Sequence, residues 1–195
     1  MRQLKNWTVF LDRDGTINEE VNYLGHPDQL QLIPGAAEAI RQLNLHQIPV
    51  IVITNQAGVA RGYFTEAQVS IVHTVLDKML AVKGAKIDSY YYCPHHPTAG
   101  IGSYQIACNC RKPQPGMLNQ AAIDFHLDLT NCYMVGDKVS DIMAGHLAGC
   151  KTVLVETGYG KEHWENWSEV VKPDYLALNL LDSVEWILAH HSSNA

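Results

Sequence analysis

Asp12 and Asp14 stand two residues apart directly after the apolar run Trp7-Thr8-Val9-Phe10-Leu11, and Asp137 follows a second such run with Asp141 one helical turn beyond. Thr54-Asn55-Gln56 closes a third apolar run. Taken one at a time, these are ordinary residues for the end of a strand. Taken together, three carboxylates and a hydroxyl converging on one edge could hold a hard divalent cation through oxygen ligands. They could also position a phosphoryl group, whose transfer is mainly a matter of geometry and charge.

A second constellation is of a different chemical kind. Cys93-Pro94-His95-His96-Pro97 is followed, across a glycine-containing loop, by Cys108-Asn109-Cys110-Arg111-Lys112. Three thiolates and one imidazole make a closed tetrahedral set suited to structural zinc, with Cys93, His95, Cys108 and Cys110 as ligands. Position favours His95, and His96 stays open as the alternative. Unrelated reduced thiols are the plainer reading, but packing does not explain such pairing in a polar, proline-flanked loop. Cys132 and Cys150 stand at strand starts and read as small buried hydrophobes. His26, His46, His73, His126 and His146 are scattered and read as surface or helix-face residues.

The elements that must position these groups follow from periodicity. Apolar runs alternate with amphipathic stretches, which indicates β-α-β units and a doubly wound parallel sheet in an α/β fold. Strands are expected over 7–12, 49–54, 89–93, 132–137, 152–156 and 175–178, and helices over 36–46, 65–82, 116–126, 140–148 and 182–190. Thr65 with Gln68 makes a capping box, Pro115 suits a first helical turn, and Gly149 is a helix stop. The polar stretch 157–171 reads as a long surface loop whose tryptophans could also cover the core. In such sheets ligands bind beyond the carboxyl ends of the strands, which is where the chemistry-bearing residues lie.

With 195 residues and 47% hydrophobic content, one domain spanning 1–195 can bury a full core. Five cysteines without an apolar leader point to a reduced, cytoplasmic setting rather than a disulfide framework. No run of about 18 apolar residues occurs, so no membrane partner is expected. The net charge of −6 opposes nucleic-acid binding, and there is no basic stripe with interleaved aromatics to hold a strand. A monomer is expected.

The order Asp12-x-Asp14-Gly15-Thr16, Thr54-Asn55, Lys112 ahead of a helix, and Gly136-Asp137-x-x-x-Asp141 resembles the motif set of the haloacid dehalogenase (HAD) phosphatases over nearly the whole chain. That resemblance implies a HAD-like Rossmannoid fold with Asp12 as covalent nucleophile and Asp14 as general acid, then base. The double role calls for a carboxyl whose pKa lies nearer neutrality than a free aspartate's. An anionic nucleophile and a phosphate repel by about 4 kcal/mol at 4 Å and an effective dielectric of 20, so a cation is needed. Mg2+ held by Asp12, the Asp14 backbone carbonyl and Asp137 is what the resemblance implies, with Asp141 in support. Thr54 and Asn55 would donate to the phosphoryl group, and Lys112 would neutralise it, with Lys138 as a second candidate.

HAD enzymes with a cap domain insert it after the first or second motif, and neither interval here is long enough to hold one. Specificity then falls to loops 19–26 and 56–64 and to the zinc loop. Gln56 is a further substrate-binding candidate, and Arg61 and Arg111 are candidates for a second phosphate, which suits the guanidinium fork. The segments LDRDGTIN, TNQAGVARGYFTEAQ, YYCPHHP, CNCRKPQPGM and YMVGDKVSD resemble the zinc-containing, capless subfamily whose members act on heptose bisphosphate or histidinol phosphate. The match is greater to the heptose branch, which implies removal of the 7-phosphate of D-glycero-D-manno-heptose 1,7-bisphosphate on the route to ADP- or GDP-activated heptose for lipopolysaccharide. Ala57 departs from that pattern, where serine is frequent. Histidinol phosphate is the second expectation. A non-enzymatic zinc-binding module would have little reason to keep both Asp12 and Asp14, and a nucleic-acid 3′-phosphatase would need the missing basic stripe.

Overall fold

The computed structural model describes residues 6–168 and 170–193. The expectation of no leader used Met1 to Gln3, which lie outside the described residues. In chain order the elements are β1 Val9–Leu11, α1 Ala36–Leu45, β2 Val50–Asn55, α2 Ala57–Ala60, α3 Glu66–Val82, β3 Ser89–Cys93 and α4 Gly116–Phe125. They continue with β4 Tyr133–Gly136, α5 Val139–Ala148, β5 Lys151–Val155, α6 Gly160–Glu165, β6 Tyr175–Ala177 and α7 Leu180–Ser193.

The six strands form one parallel sheet in the order β3-β2-β1-β4-β5-β6. β1, β4 and nearly all of β2 are buried on both faces, which is why their sequences are continuous rather than alternating. The β1-to-β2 and β4-to-β5 crossovers run in opposite directions, so the right-handed rule places α1 and α5 on opposite faces. α1 packs on α7, while α4 packs on α5. Between β1 and β4 the strand order reverses, and the loops leaving those two strands part to open a crevice there. No cap is inserted: the interval from β1 to β2 carries α1 and a single 3-10 turn, Pro27–Gln29.

Local end signals act as expected at α3, where Thr65 accepts from the Gln68 backbone N–H and Gln68 in turn accepts from the Thr65 N–H. Gly149 closes α5 in the left-handed region, φ 85°. Other features differ from expectation. Pro115 is the residue before α4 rather than in its first turn. The stretch read as a loop over 157–171 contains α6, and Trp164 and Trp167 pack against each other at 6.0 Å instead of covering the core. α6 escaped notice because six residues, mostly polar, show no helical period. α2 was missed because four residues, Ala57–Ala60, are too few to show a period. Cys132 and Cys150 are buried, as their positions suggested.

Candidate active site

The turn after β1 sets the site. The Asp12 N–H donates to the Val135 carbonyl on neighbouring β4 at 2.9 Å, and the next residues wrap into one tight turn in which the N–H groups of Ile17 and Asn18 reach the Arg13 carbonyl at 2.8 and 3.1 Å. Gly15 occupies φ 83°, and a Cβ there would overlap the Asp137 carboxylate. A Cβ at Gly158 would meet the same Asp137 oxygen and the Gly15 Cα as well. Two glycine backbones thus crowd one carboxylate oxygen, a closeness that any side chain would prevent.

The oxygens of Asp12, Asp137 and Asp141 lie within 4.8 Å of one another, all buried. Asp137 Oδ2 accepts the Tyr159 N–H at 2.9 Å, but its Oδ1 has no hydrogen-bond partner. Burial pushes the Asp137 carboxyl well up, with Lys138 opposing and the neighbouring Asp12 and Asp141 adding to the rise. A buried oxygen so placed is costly unless satisfied, and a divalent ion would satisfy it. The all-oxygen donor set fits a hard metal.

Asp141 is committed otherwise. Its Oδ1 meets Lys112 Nζ at 2.6 Å, and its Oδ2 accepts the Lys138 N–H at 2.9 Å, which caps α5. Lys112 spends its remaining donors on Asp12 Oδ1 at 3.0 Å and the Ile53 carbonyl at 2.7 Å. Burial alone would lower the lysine, but Asp12 and Asp141 raise it above the ordinary range. The ammonium therefore stays charged inside the protein, aligned on Asp12.

Around these groups lies a cavity of about 320 Å³ whose walls include Asp12, Asp14, Thr54, Arg111, Lys112 and Lys138. Asn55 and Gln56 also line it, but their side chains are turned to the protein. Asn55 exchanges two bonds with the Lys112 backbone, 3.0 Å each, and so fixes the lysine where donation to a phosphate was expected. Gln56 donates to Asp14 Oδ2 at 3.0 Å and Thr54 Oγ1 at 2.9 Å and accepts from Arg13 at 3.2 Å, leaving its amide fully used. Gln56, expected to bind substrate, thus lines the cavity with its side chain held by Asp14, Thr54 and Arg13. Arg61 is absent from the cavity wall and lies 5.6 Å over the ring of Tyr23, which does line it. Lys138 pairs with Glu20 at 2.8 Å across the mouth.

Asp14 departs from expectation in its acidity. Burial would raise its carboxyl, but the Arg13 charge and hydrogen bonds from Asn18, Arg13 and Gln56 outweigh burial and hold it below the ordinary aspartate range. The anticipated near-neutral value is therefore not what these protein groups alone set. Arg13 and Asn18 were not singled out in the sequence and His73 was given no role in the site, yet all three belong to this network. Of the two readings for His73, surface or helix face, the second holds: it lies on the buried face of α3, where burial and the Arg13 charge push it down to about 3. A signal existed: His73 falls on the same helical stripe as Val69, Val72, Leu76 and Leu80, the buried residues of α3.

The Cys and His residues also meet. Cys93, Cys108 and Cys110 Sγ lie 3.1 to 3.5 Å apart, and His95 Nδ1 is 3.5 Å from Cys110 and 3.8 Å from Cys93. A zinc tetrahedron with Zn–S near 2.3 Å has an edge of about 3.8 Å, so this cage is only a few tenths tighter. His96 turns away, its Nδ1 accepting the backbone N–H groups of Thr98 and Ala99. Arg111 donates to the His95 carbonyl at 3.0 Å, which ties the cage to the cavity wall.

A parallel sheet whose switch point gathers an aspartate pair, a buried lysine and a cation-ready carboxylate is the architecture of a phosphoryl-transfer hydrolase. The haloacid dehalogenase-like hydrolase model matches residues 9–77, and the HAD-hydrolase-like model residues 109–183. A D-glycero-D-manno-heptose-1,7-bisphosphate 7-phosphatase of Thermosynechococcus vestitus is 43% identical over 187 residues, covering 93% of this chain and 95% of that protein. The D-glycero-beta-D-manno-heptose-1,7-bisphosphate 7-phosphatase of Pasteurella multocida is 48% identical over 151 residues, 77% of this chain and 82% of its own length. The crystal structure of the D,D-heptose 1,7-bisphosphate phosphatase from B. bronchiseptica, complexed with magnesium and phosphate, superposes with a TM-score of 0.84 at 32% identity, over 95% of this chain and 99% of that one. The chain belongs to the haloacid dehalogenase-like hydrolases, in the family of the heptose-bisphosphate phosphatases, and is a phosphatase.

Proposed function

We propose that the protein removes the 7-phosphate of D-glycero-D-manno-heptose 1,7-bisphosphate, leaving heptose 1-phosphate. The observation that carries the reading is Asp12, held by buried Lys112 beside the orphan oxygen of Asp137, in a chain matched over 93% of its length by a relative of that name. Asp12 and Asp137, with the Asp14 carbonyl, would hold Mg2+, which supplies positive charge that offsets the repulsion between nucleophile and phosphate. Asp141 supports by holding Lys112.

Asp12 attacks phosphorus, the bond from phosphorus to the sugar oxygen breaks, and that oxygen takes the proton of the Asp14 carboxyl. An incoming phosphate dianion opposes the Arg13 charge and favours the protonated form of Asp14 at this stage. In the second half a water oxygen attacks phosphorus, its proton goes to Asp14, and the aspartyl bond breaks to release inorganic phosphate and restore Asp12. Thr54 and Lys112 stabilise the charge on the transferring oxygens. Lys138 and Arg111 face the remainder of the cavity, and Arg111 suits the phosphate that is retained. Arg61 would join it only by leaving the Tyr23 ring.

The deciding assay measures phosphate release from heptose 1,7-bisphosphate and histidinol phosphate side by side with Mg2+. Preference for the bisphosphate is expected. Faster turnover of histidinol phosphate rejects the substrate while leaving the phosphatase intact.

The Cys93, His95, Cys108 and Cys110 cage would hold structural zinc. Its role would be to fix the segment that delivers Arg111 and Lys112. A chelator strong enough to strip zinc is then expected to lower the melting temperature and to cut activity in a way that excess Mg2+ does not restore. Full activity in metal-analysed, zinc-free protein overturns the assignment. Among the described residues no helix is long and apolar enough to cross a membrane.

A further inference from the structure

Asp14 is gripped from one side by a residue that never reaches the cavity. Arg13 is completely buried, and its guanidinium meets both oxygens of Asp14, through Nε at 3.2 Å and NH2 at 3.0 and 2.8 Å. The NH1 of the same guanidinium lies 3.2 Å from Nε2 of His73, sixty positions along the chain in α3. Arginine has only donors, so Nε2 must be the bare nitrogen and the ring proton sits on Nδ1. The imidazole is itself stacked on Tyr90 at 4.2 Å and 15°, and Tyr90 donates to Asp77 on α3 at 2.6 Å.

Stability does not explain this arrangement. Burying a guanidinium costs free energy that an ion pair only roughly offsets, and an apolar side chain of similar size commonly serves stability as well or better. His73 stands on an otherwise apolar stripe, where leucine would pack at no polar cost. What histidine adds there is one acceptor aimed at one corner of Arg13. A planar fork pinned at both ends has a fixed orientation, and the carboxyl it grips has little freedom left.

We propose that Arg13 and His73 are positioning residues for the proton transfer at the leaving oxygen: His73 sets the plane of the Arg13 guanidinium, and Arg13 sets the direction of the Asp14 carboxyl. Gln56 completes the frame by bridging Arg13, Asp14 and Thr54. The inference rests on the acid-base role of Asp14 given above. It also accounts for an arginine lying between the two aspartates, where its backbone N–H donates to Asp12 at 2.7 Å while its side chain serves Asp14.

The test compares leaving groups. An alkyl phosphate needs its oxygen protonated, whereas p-nitrophenyl phosphate leaves as a stabilised phenolate and scarcely needs an acid. kcat and KM are measured on the sugar phosphate and on p-nitrophenyl phosphate for wild type, His73→Leu, His73→Gln and Asp14→Asn, with the melting temperature of each. His73→Leu is expected to lose kcat about tenfold on the sugar phosphate and by no more than about twofold on the aryl ester, with KM little changed. His73→Gln, whose amide oxygen can take the place of Nε2, is expected to recover most of the loss.

Equal losses on both esters overturn the proposal, as does a glutamine variant no better than leucine at equal stability. If Asp14→Asn itself shows no preference for the aryl ester, the acid role is what fails. Should His73→Leu not fold, Arg13→Lys, which keeps the charge and loses the fork, is read by the same comparison.

Discussion

Asp12→Asn is expected to lower kcat by about 10⁴-fold or more while the protein stays folded. Asparagine keeps an oxygen for the Arg13 N–H that Asp12 now accepts at 2.7 Å, so the turn after β1 retains its bond. Its amide cannot form the acyl phosphate. The buried trio of Asp12, Asp137 and Asp141 loses one of three like charges held within 4.8 Å, and that relief offsets the lost ion pair with Lys112. Melting temperature without metal should therefore hold or rise, and the increase on adding Mg2+ should shrink. Site residues held in unfavourable company for the sake of chemistry commonly behave in this way. Rapid quench with labelled substrate should find phosphate on the wild-type protein and none on the variant. Residual turnover near wild type, or label still bound to the variant, removes Asp12 as nucleophile.

Lys112→Met should fail on both counts. The ammonium is the partner of Asp12 and Asp141 and donates to the Ile53 carbonyl, all within 3.0 Å. Methionine has the volume but leaves those buried acceptors bare, at a cost of roughly 3–5 kcal/mol in stability at neutral pH. The rate should fall by about 10²- to 10³-fold through the lost charge at the transferring phosphoryl group.

The pH dependence carries a sign that can be checked. Asp137 and Asp141 are already pushed up, first by burial, and losing the lysine raises Asp141 further. An acid whose folded pKa lies above its unfolded one gains stability as pH falls, because the folded state takes up the proton first. The deficit of Lys112→Met should accordingly narrow from pH 7 toward pH 5 in urea unfolding, before general acid unfolding intervenes. The lysine's own contribution, from a raised folded pKa, is fully present across that window and is lost only at alkaline pH. A deficit that widens on acidification contradicts the assignment of Lys112 as counter-ion.

The sheet and its helices were largely legible because their signals are local. β2 reads as a strand from Val50 to Ile53 whatever surrounds it, and α3 announces its own start through Thr65 and Gln68. The misreadings at α2 and α6 fall where elements of four and six residues are too short to show a period. The Cys and His cage was legible as a set of four because its residue types are rare and clustered. The choice between His95 and His96 was not, since it turns on which ring the 98–99 turn captures.

By itself the amino-acid sequence determined which residues end the strands, which thiols share a loop, and hence the order of elements and the class of chemistry, for these depend on type and spacing along one short stretch. Tertiary structure alone decided the duties of the side chains. Gln56 and Asn55 face inward, Arg13 meets His73 from sixty positions away, and Asp14 is more acidic than its role suggested. A side chain's partners and its pKa are set by groups brought close in space, and nothing in the spacing along the chain records that closeness.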